Sequence, residues 1–253
     1  MAEMQTEIRI DDRLPAAVQR IGSLFHEILK EYPRGIHSLH LIGSAITPDF
    51  NPKTSDINSL VVLHDMDFGF IRFLASHGKR YKKMGIAAPL IMTPAYIRSS
   101  LDVFPIEFHD MRRIHRTVYG DDILADLQID RQHLRIQCER EIKTKLVALR
   151  QGYVSTLDDK NLLLEGLSRS ITGYIPLFRA IIALMGKEPP VPKQEVIETL
   201  CALTDIGTDV FRRVLLLKNR EIKFSKEEAV SAFEQYYRAT ERIGALVDEL
   251  RIA

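Results

Sequence analysis

The spacing of apolar residues changes character about half-way along the chain. In the first half, apolar residues that repeat every three or four positions alternate with short runs in which every second residue, or every residue, is apolar. The first spacing is typical of amphipathic helices and the second of strands. Helices are therefore predicted over residues 15–32, 68–84 and 94–101, and strands over residues 36–42, 56–63 and 89–92.

From Arg131 onward the strand patterns disappear and only helical spacing remains. Four helical regions are predicted, over residues 131–153, over 158–185 with a kink at Pro176, over 194–218 with a break near 205–207, and from the capping box at Ser225 to Ile252. The prediction is an α+β chain. A mixed sheet with flanking helices occupies residues 1–125, and a helical bundle occupies residues 126–253.

One more strand is predicted within residues 102–110, immediately before the second half, with Asp102 and Asp110 near its ends as competitors to Glu107. Ile106 and Phe108 would share one face of this strand and Glu107 the other, and Pro105 favours an edge position because it cannot donate to a neighbouring strand. Glu107 on an edge strand is either a functional carboxylate or a solvent-facing one. A basic segment over residues 109–116 and a turn at residues 119–122 that opens a short helix are expected to follow.

Composition limits the classes of function. With 253 residues, a net charge of +1 and a pI of about 7.8, the chain has no strong charge to attract nucleic acid, which makes a nucleic-acid partner unlikely. Cys138 and Cys201 are the only two cysteines and lie in predicted helices, so no disulfide framework or zinc knuckle is expected. The polar start MAEMQTEIRIDD is unlike a signal peptide, and no apolar run approaches transmembrane length. A cytoplasmic protein without membrane contact is expected, and its oligomeric state is left open.

The segment that looks arranged for chemistry is LIGSAITPDFNPKTSDINSLVVL, over residues 41–63. Gly43 and Ser44 end the first predicted strand, where a residue without a Cβ lets backbone N–H groups approach an anion such as phosphate. Asp56 and Asn58 open the second strand, and the period of two places their side chains on one face. An ordinary polar loop is the alternative, because Gly, Ser, Asp, Asn and Pro are the residues of turns.

This combination resembles the polymerase-beta-like nucleotidyltransferases, whose motif is Gly-Ser, a spacer and Asp-x-Asp. The sequences Gly43-Ser44-Ala45, Asp49-Phe50 and Ser55-Asp56-Ile57 resemble most closely the bacterial antibiotic (aminoglycoside) adenylyltransferases and their uncharacterised relatives. Two positions depart from that pattern. Pro48 stands where those relatives often carry Gly, and Asn58 stands where they carry the second Asp.

The resemblance implies a role for each motif residue. Gly43, Ser44 and Ser55 would bind nucleotide, while Asp56, Asn58 and Glu107 would hold Mg²⁺. Asp56 and Glu107 would be the catalytic carboxylates, with Glu107 ligating a second metal or taking the acceptor proton. ATP would be the donor, and the helical half would cover the acceptor side.

Two classes of function follow from the resemblance. The first is a Mg²⁺-dependent enzyme that transfers a nucleoside monophosphate from ATP to a hydroxyl of a small molecule or protein. The second is a non-catalytic nucleotide-binding or regulatory protein, because Asn58 removes one negative charge from the expected metal site. An RNA-modifying transferase is disfavoured by the neutral net charge.

Overall fold

The computed structural model describes residues 8–10, 14–207 and 209–251. It divides into two compact units: an α/β unit of the residues up to Leu101 together with Phe108–Gln128, and a helical unit of Asp102–Glu107 and the residues from Ile129 onward. The α+β fold with a helical second half is confirmed. No helix among the described residues is both long and apolar enough to cross a membrane.

The α/β unit is built on a four-stranded sheet with the order β3-β2-β1-β4. Strand β1 pairs antiparallel with β2 and β4, while β3 runs parallel to β2. Its elements in chain order are α1 (Ala16–Gln19), α2 (Ile21–Glu31), β1 (Ile36–Ile42), a 3-10 turn (Gly43–Ile46), β2 (Asn58–Leu63), α3 (Phe68–Lys83), β3 (Leu90–Met92), α4 (Pro94–Ser99), α5 (Pro105–Arg113) and β4 (His115–Gly120).

One face of the sheet forms the core of this unit. Leu39, Leu41 and Val61 alternate toward α2 and α3, and each is fully buried. Helix α3 begins at Asp67, whose carboxylate accepts the Gly69 N–H at 2.7 Å, as expected for an N-cap. The predicted period of two along the strands therefore separates this packed face from the face that carries Asn58.

The helical unit contains α6 (Arg131–Ser155), α7 (Lys160–Ser170), a 3-10 turn (Ile171–Gly173), α8 (Tyr174–Leu184), α9 (Lys193–Thr204), α10 (Asp209–Lys218) and α11 (Lys226–Glu249). Its core includes the buried rings of Tyr174, Phe211 and Tyr236, and the centroids of the last two lie 4.6 Å apart. The capping box at Ser225 is confirmed. Helix α11 ends at Glu249, and the predicted end at Ile252 lies outside the described residues.

Three local predictions are wrong. Residues 158–185 form two helices separated by the 3-10 turn, and Pro176 lies in the first turn of α8, where a missing N–H removes no helical hydrogen bond. Turns replace the short helix expected after Gly120. The third error, at Glu107, concerns the candidate site.

Candidate functional site

The turn after β1 has the geometry that the sequence predicts for anion contact. Gly43 has φ +69°, and a Cβ added to it would meet no protein atom within 4 Å. Its own N–H donates to the Ile114 carbonyl at 3.2 Å, which anchors the turn to the chain before β4. Ile42 supplies no side-chain cap to the turn, and Ser44 is half-buried. The backbone therefore faces open space at Gly43, as a phosphate-binding turn requires.

Strand pairing places the second part of the motif beside this turn. Asn58 is the register partner of Ile42, the residue that precedes Gly43. Ile57 is buried with 2% of its surface exposed, whereas Asp56 and Asn58 are exposed. A cavity of about 500 Å³ between α3 and the segment before β3 includes Asp56 and Lys82 in its lining. The structure thus brings Gly43 and Asn58 together at one end of the β1–β2 pair.

Ser55 has a structural role in the loop that leads to β2. Its hydroxyl oxygen accepts the Asn51 N–H at 3.2 Å, and its own N–H donates to the Asn51 carbonyl at 2.8 Å. These two bonds close the turn before Asp56. The nucleotide-binding role of Ser55 stays a prediction.

The strand predicted around Glu107 is wrong, because Pro105–Arg113 forms helix α5. Pro105 is the first helical residue, a position that suits proline, and Glu107 lies in the first turn. Gln137 fixes this helix start, because its Oε1 accepts the Ile106 N–H at 2.6 Å and its Nε2 donates to Glu107 Oε2 at 2.8 Å. Glu107 is exposed and groups with the helical unit. Its catalytic and metal-binding roles stay predictions.

Strand β3 brings no acidic group to the site. It runs parallel to β2 with Leu60 opposite Leu90, and Ile57 pairs with Ile86 just before it, so the residues beside Asn58 lie within 86–90. Residues 86–92 contain neither Asp nor Glu. In the part of the chain that the structure describes, no group of three or more His, Cys, Asp or Glu is placed to hold a metal ion. The carboxylate and amide oxygens on β2 and just before it are those of Asp56 and Asn58.

A polar network that was not predicted from the sequence lies on the same face of the sheet as Asn58. His115 is the register partner of Ile42 on the β4 side, as Asn58 is on the β2 side. Its Nε2 lies 2.8 Å from Asp122 Oδ1, and its Nδ1 lies 2.9 Å from the Met111 carbonyl. Burial alone would raise the Asp122 pKa, but the charge of His115 and the hydrogen bonds outweigh it, so the pKa is lowered. The alternation of His115, Thr117 and Tyr119 could have indicated this strand.

His40, in the middle of β1, is fully buried between two hydroxyls. Its Nε2 lies 2.8 Å from Ser38 Oγ, and its Nδ1 lies 2.9 Å from Thr117 Oγ1. Burial, followed by the charge of His115, lowers the pKa of His40 to about 4. The neutral imidazole is therefore part of the folded structure at neutral pH.

We expect this histidine to make the protein less stable in acid. In the unfolded state His40 takes up a proton near pH 6.5, but in the folded state it does so only near its pKa of about 4. Neutral His40 therefore costs the folded state no stability above pH 6.5. The free energy of unfolding falls as the pH drops from 6.5 toward 4, because only the unfolded state then gains the proton. Between pH 7.5 and 4.5 the wild type should lose roughly 2–3 kcal/mol more than His40→Gln in urea unfolding. The exposed-site variant His26→Gln should follow the wild type. Parallel pH profiles for wild type and His40→Gln would contradict the expectation.

Comparisons with known proteins give a likeness to solved structures and no sequence match. No protein-family model and no curated protein sequence matches the chain. Among solved structures, the chain is similar to spectinomycin adenyltransferase AAD(9) from Enterococcus faecialis, crystallised with ATP and spectinomycin. The match has a TM-score of 0.52 and 15% identity, and covers 88% of this chain and 98% of that one. At this identity the likeness establishes the fold alone, and the chain therefore shares the fold of that adenyltransferase.

Proposed function

We propose that the chain is a nucleotidyltransferase that takes a nucleoside monophosphate from ATP. The observation that carries the proposal is the pairing of Asn58 with Ile42, which brings the start of β2 beside the open turn at Gly43. A triphosphate needs backbone N–H groups and a cation at adjacent positions, and this arrangement offers room for both. The fold likeness to an adenyltransferase crystallised with ATP supports the same donor.

The donor set suits one Mg²⁺. This ion is usually held by one or two carboxylates together with waters and the phosphates of a nucleotide, and Asp56 with the amide oxygen of Asn58 gives such a partial set. Both side chains are exposed, so neither has to be uncovered before binding. When bound, the ion would neutralise the phosphate charge that develops during transfer. Asp56 supplies the only formal negative charge of this pair.

We infer that the acceptor is a hydroxyl of a small molecule or a protein side chain. The similar solved structure was crystallised with spectinomycin as well as ATP, which supports a small-molecule acceptor. Glu107 would take the acceptor proton or help to hold a second ion. Its bond from Gln137 uses one of about four lone-pair positions on the carboxylate, so the group keeps capacity for either role.

The second candidate function is nucleotide binding without transfer. Two features favour it: residues 86–92 contain no acidic residue, and Asn58 stands where a second carboxylate is expected. Asp56 is then the single carboxylate of β2, β3 and the few residues that precede each strand. The two candidates differ in one measurement. Incubation with Mg²⁺, α-labelled nucleoside triphosphates and a broad panel of hydroxyl acceptors should transfer label in the first case, whereas the second gives saturable nucleotide binding and no transfer.

The turn at Gly43 supplies a direct test of nucleotide binding. Gly43→Ala adds a methyl group where the backbone faces open space, so we expect ATP affinity to fall by about tenfold or more as bonds to a charged phosphate are lost. Titration calorimetry with ATP and Mg²⁺ measures the change. Gly186→Ala is the matched control, because Gly186 also has a positive φ of 78° with open space around its Cβ position, but lies after α8. Equal ATP affinities of the two variants would remove the turn from the site.

A further inference from the structure

The helical unit has a cavity of its own, separate from the proposed nucleotide site. It has a volume of about 420 Å³ and lies between α6 and α7, with Tyr174 of α8 and Phe233 of α11 also in its lining. The volume falls within the range of small-molecule sites. All of the lining residues belong to the helical unit.

Most of the cavity wall is apolar. Leu149 of α6 and Leu163 and Leu167 of α7 are buried side chains that line it. The rings of Tyr153 and Phe233 stack with centroids 4.5 Å apart and an interplanar angle of 27°, which gives the wall a flat aromatic section. Such a wall favours a ligand with an apolar body.

Lys145 is the polar exception in this wall. Its side chain is 21% exposed, the nearest carboxylate oxygen among the described residues is Glu141 Oε2 at 3.9 Å, and its Nζ lies 5.1 Å from the centroid of the Tyr174 ring. Neither contact is a hydrogen bond, so the three N–H donors of the ammonium are not satisfied by the described chain. Burial lowers the Lys145 pKa, with the charges of Glu141 and Glu107 acting in the opposite direction.

Three other polar side chains around the cavity are already paired. Ser170 donates its hydroxyl to the Leu167 carbonyl, and Thr156 donates to the Tyr153 carbonyl, both at 2.8 Å. Arg169 is exposed and bonded to Glu165. A charged ligand would therefore find at Lys145 a cation whose N–H groups make no hydrogen bond within the described chain.

Two helical glycines keep the cavity open. Gly152 in α6 and Gly166 in α7 line it, and a Cβ added to either would meet no protein atom within 4 Å. Glycine within a helix is less stable than alanine, and neither position shows a packing reason for it. Gly244 in α11 is different, because a Cβ there would lie 3.0 Å from Ile142 Cγ2. Gly152 and Gly166 thus leave space that side chains could otherwise fill.

We propose that this cavity binds a small organic carboxylate with an apolar body. The carboxylate pairs with the Lys145 ammonium, and the body lies along the leucines and the Tyr153 ring. A monoanion fits better than a nucleotide or a phosphate ester, because the cavity offers one cation that is not hydrogen-bonded to a carboxylate and a largely apolar wall. The site is independent of the nucleotide site, since its lining includes neither Gly43 nor Asp56.

Octanoate and its neutral isostere octanamide test the proposal on the full chain. In calorimetry and aromatic NMR, octanoate should saturate one site, shift the Tyr153 and Phe233 signals, and bind about tenfold or more tightly than octanamide. Lys145→Met should remove that difference and leave octanamide affinity unchanged. Lys143→Met is the matched control, since Lys143 is exposed on the same helix and pairs with Glu139. It should bind octanoate like the wild type.

Gly166→Leu checks the location without depending on charge. Leucine favours the helix and projects into open space, so this variant should stay folded, as circular dichroism would show, while losing both ligands. Three results would overturn the proposal: no saturable octanoate binding by the wild type, equal octanoate affinity in wild type and Lys145→Met, or full binding by a folded Gly166→Leu protein.

Discussion

Replacing Asp56 with alanine should lower Mg²⁺-dependent ATP affinity by at least about 10- to 100-fold and abolish any transfer of nucleoside monophosphate. Mutation of a residue that only hydrogen-bonds to a metal ligand typically lowers metal affinity or activity by about 10- to 100-fold. Asp56 is proposed as a direct ligand, so its loss should cost at least as much. Asp56 is also the only charged oxygen ligand that β2 and the residues just before it provide. Calorimetric titration with ATP, with and without Mg²⁺, measures the first effect and an α-labelled transfer assay the second.

Asp65→Ala is the matched control for this substitution. Asp65 is an exposed aspartate just after β2, at the opposite end of the strand from Asp56. Its substitution therefore removes the same charge from a different place. Its nucleotide affinity should equal that of the wild type. If the two variants weaken ATP binding equally, the effect is one of net charge, and Asp56 is not a ligand. Circular dichroism should show both proteins folded, because each position is exposed.

Much of the fold follows from the sequence, because burial on one face leaves a clear period in each element. Strand β1 occupies the predicted residues 36–42, and α3 starts at the predicted Phe68 and ends one residue before the predicted 84. The placement of Asn58 beside the Gly43 turn is equally local. It requires an antiparallel pair joined by a loop, and the two apolar runs on either side of residues 43–55 predict that pair.

The error at Glu107 has a physical cause. Alternation over Ile106, Glu107 and Phe108 is too short to separate a strand from a helix, since both structures can bury residues 106 and 108. A longer window shows Phe108, Met111 and Ile114 buried at intervals of three, which is helical spacing. Pro105 then indicates a helix start and not a strand edge.

Other features of the site depend on contacts far apart in the sequence. His40 and Thr117 are 77 residues apart, and their hydrogen bond follows from β4 pairing with β1, a strand that was not predicted from its basic composition. Which residues lie beside Asn58 on the β3 side depends likewise on the parallel pairing of β2 with the chain at residues 86–92. The register between strands that are far apart in sequence cannot be deduced from the residues of one strand. The charges that surround the site therefore could not be predicted from the motif alone.

Asn58→Asp should raise Mg²⁺ affinity in the presence of ATP and increase any nucleotidyl transfer or slow nucleotide hydrolysis. The substitution adds one negative charge at an exposed position beside the Gly43 turn, on the same face as Asp56. A unit charge about 4 Å from a divalent ion is worth about 2 kcal/mol even in water, which is about 30-fold in affinity. Calorimetric Mg²⁺ titration of the ATP-bound protein and the α-labelled transfer assay measure the two effects.

Asn51→Asp controls for the added charge, because Asn51 lies in the same loop and uses its Oδ1 to accept the Lys53 N–H, which a carboxylate also does. This variant should leave Mg²⁺ affinity near the wild-type value. If the wild type transfers label and Asp56→Ala abolishes that transfer, the protein is a working enzyme in which the Asn58 amide suffices as a Mg²⁺ ligand. Transfer only by Asn58→Asp would identify a nucleotide-binding protein whose chemistry is limited by one missing charge. Mg²⁺ affinity that responds to neither Asp56→Ala nor Asn58→Asp would falsify the site, since both of its proposed oxygen ligands would then be irrelevant to the ion.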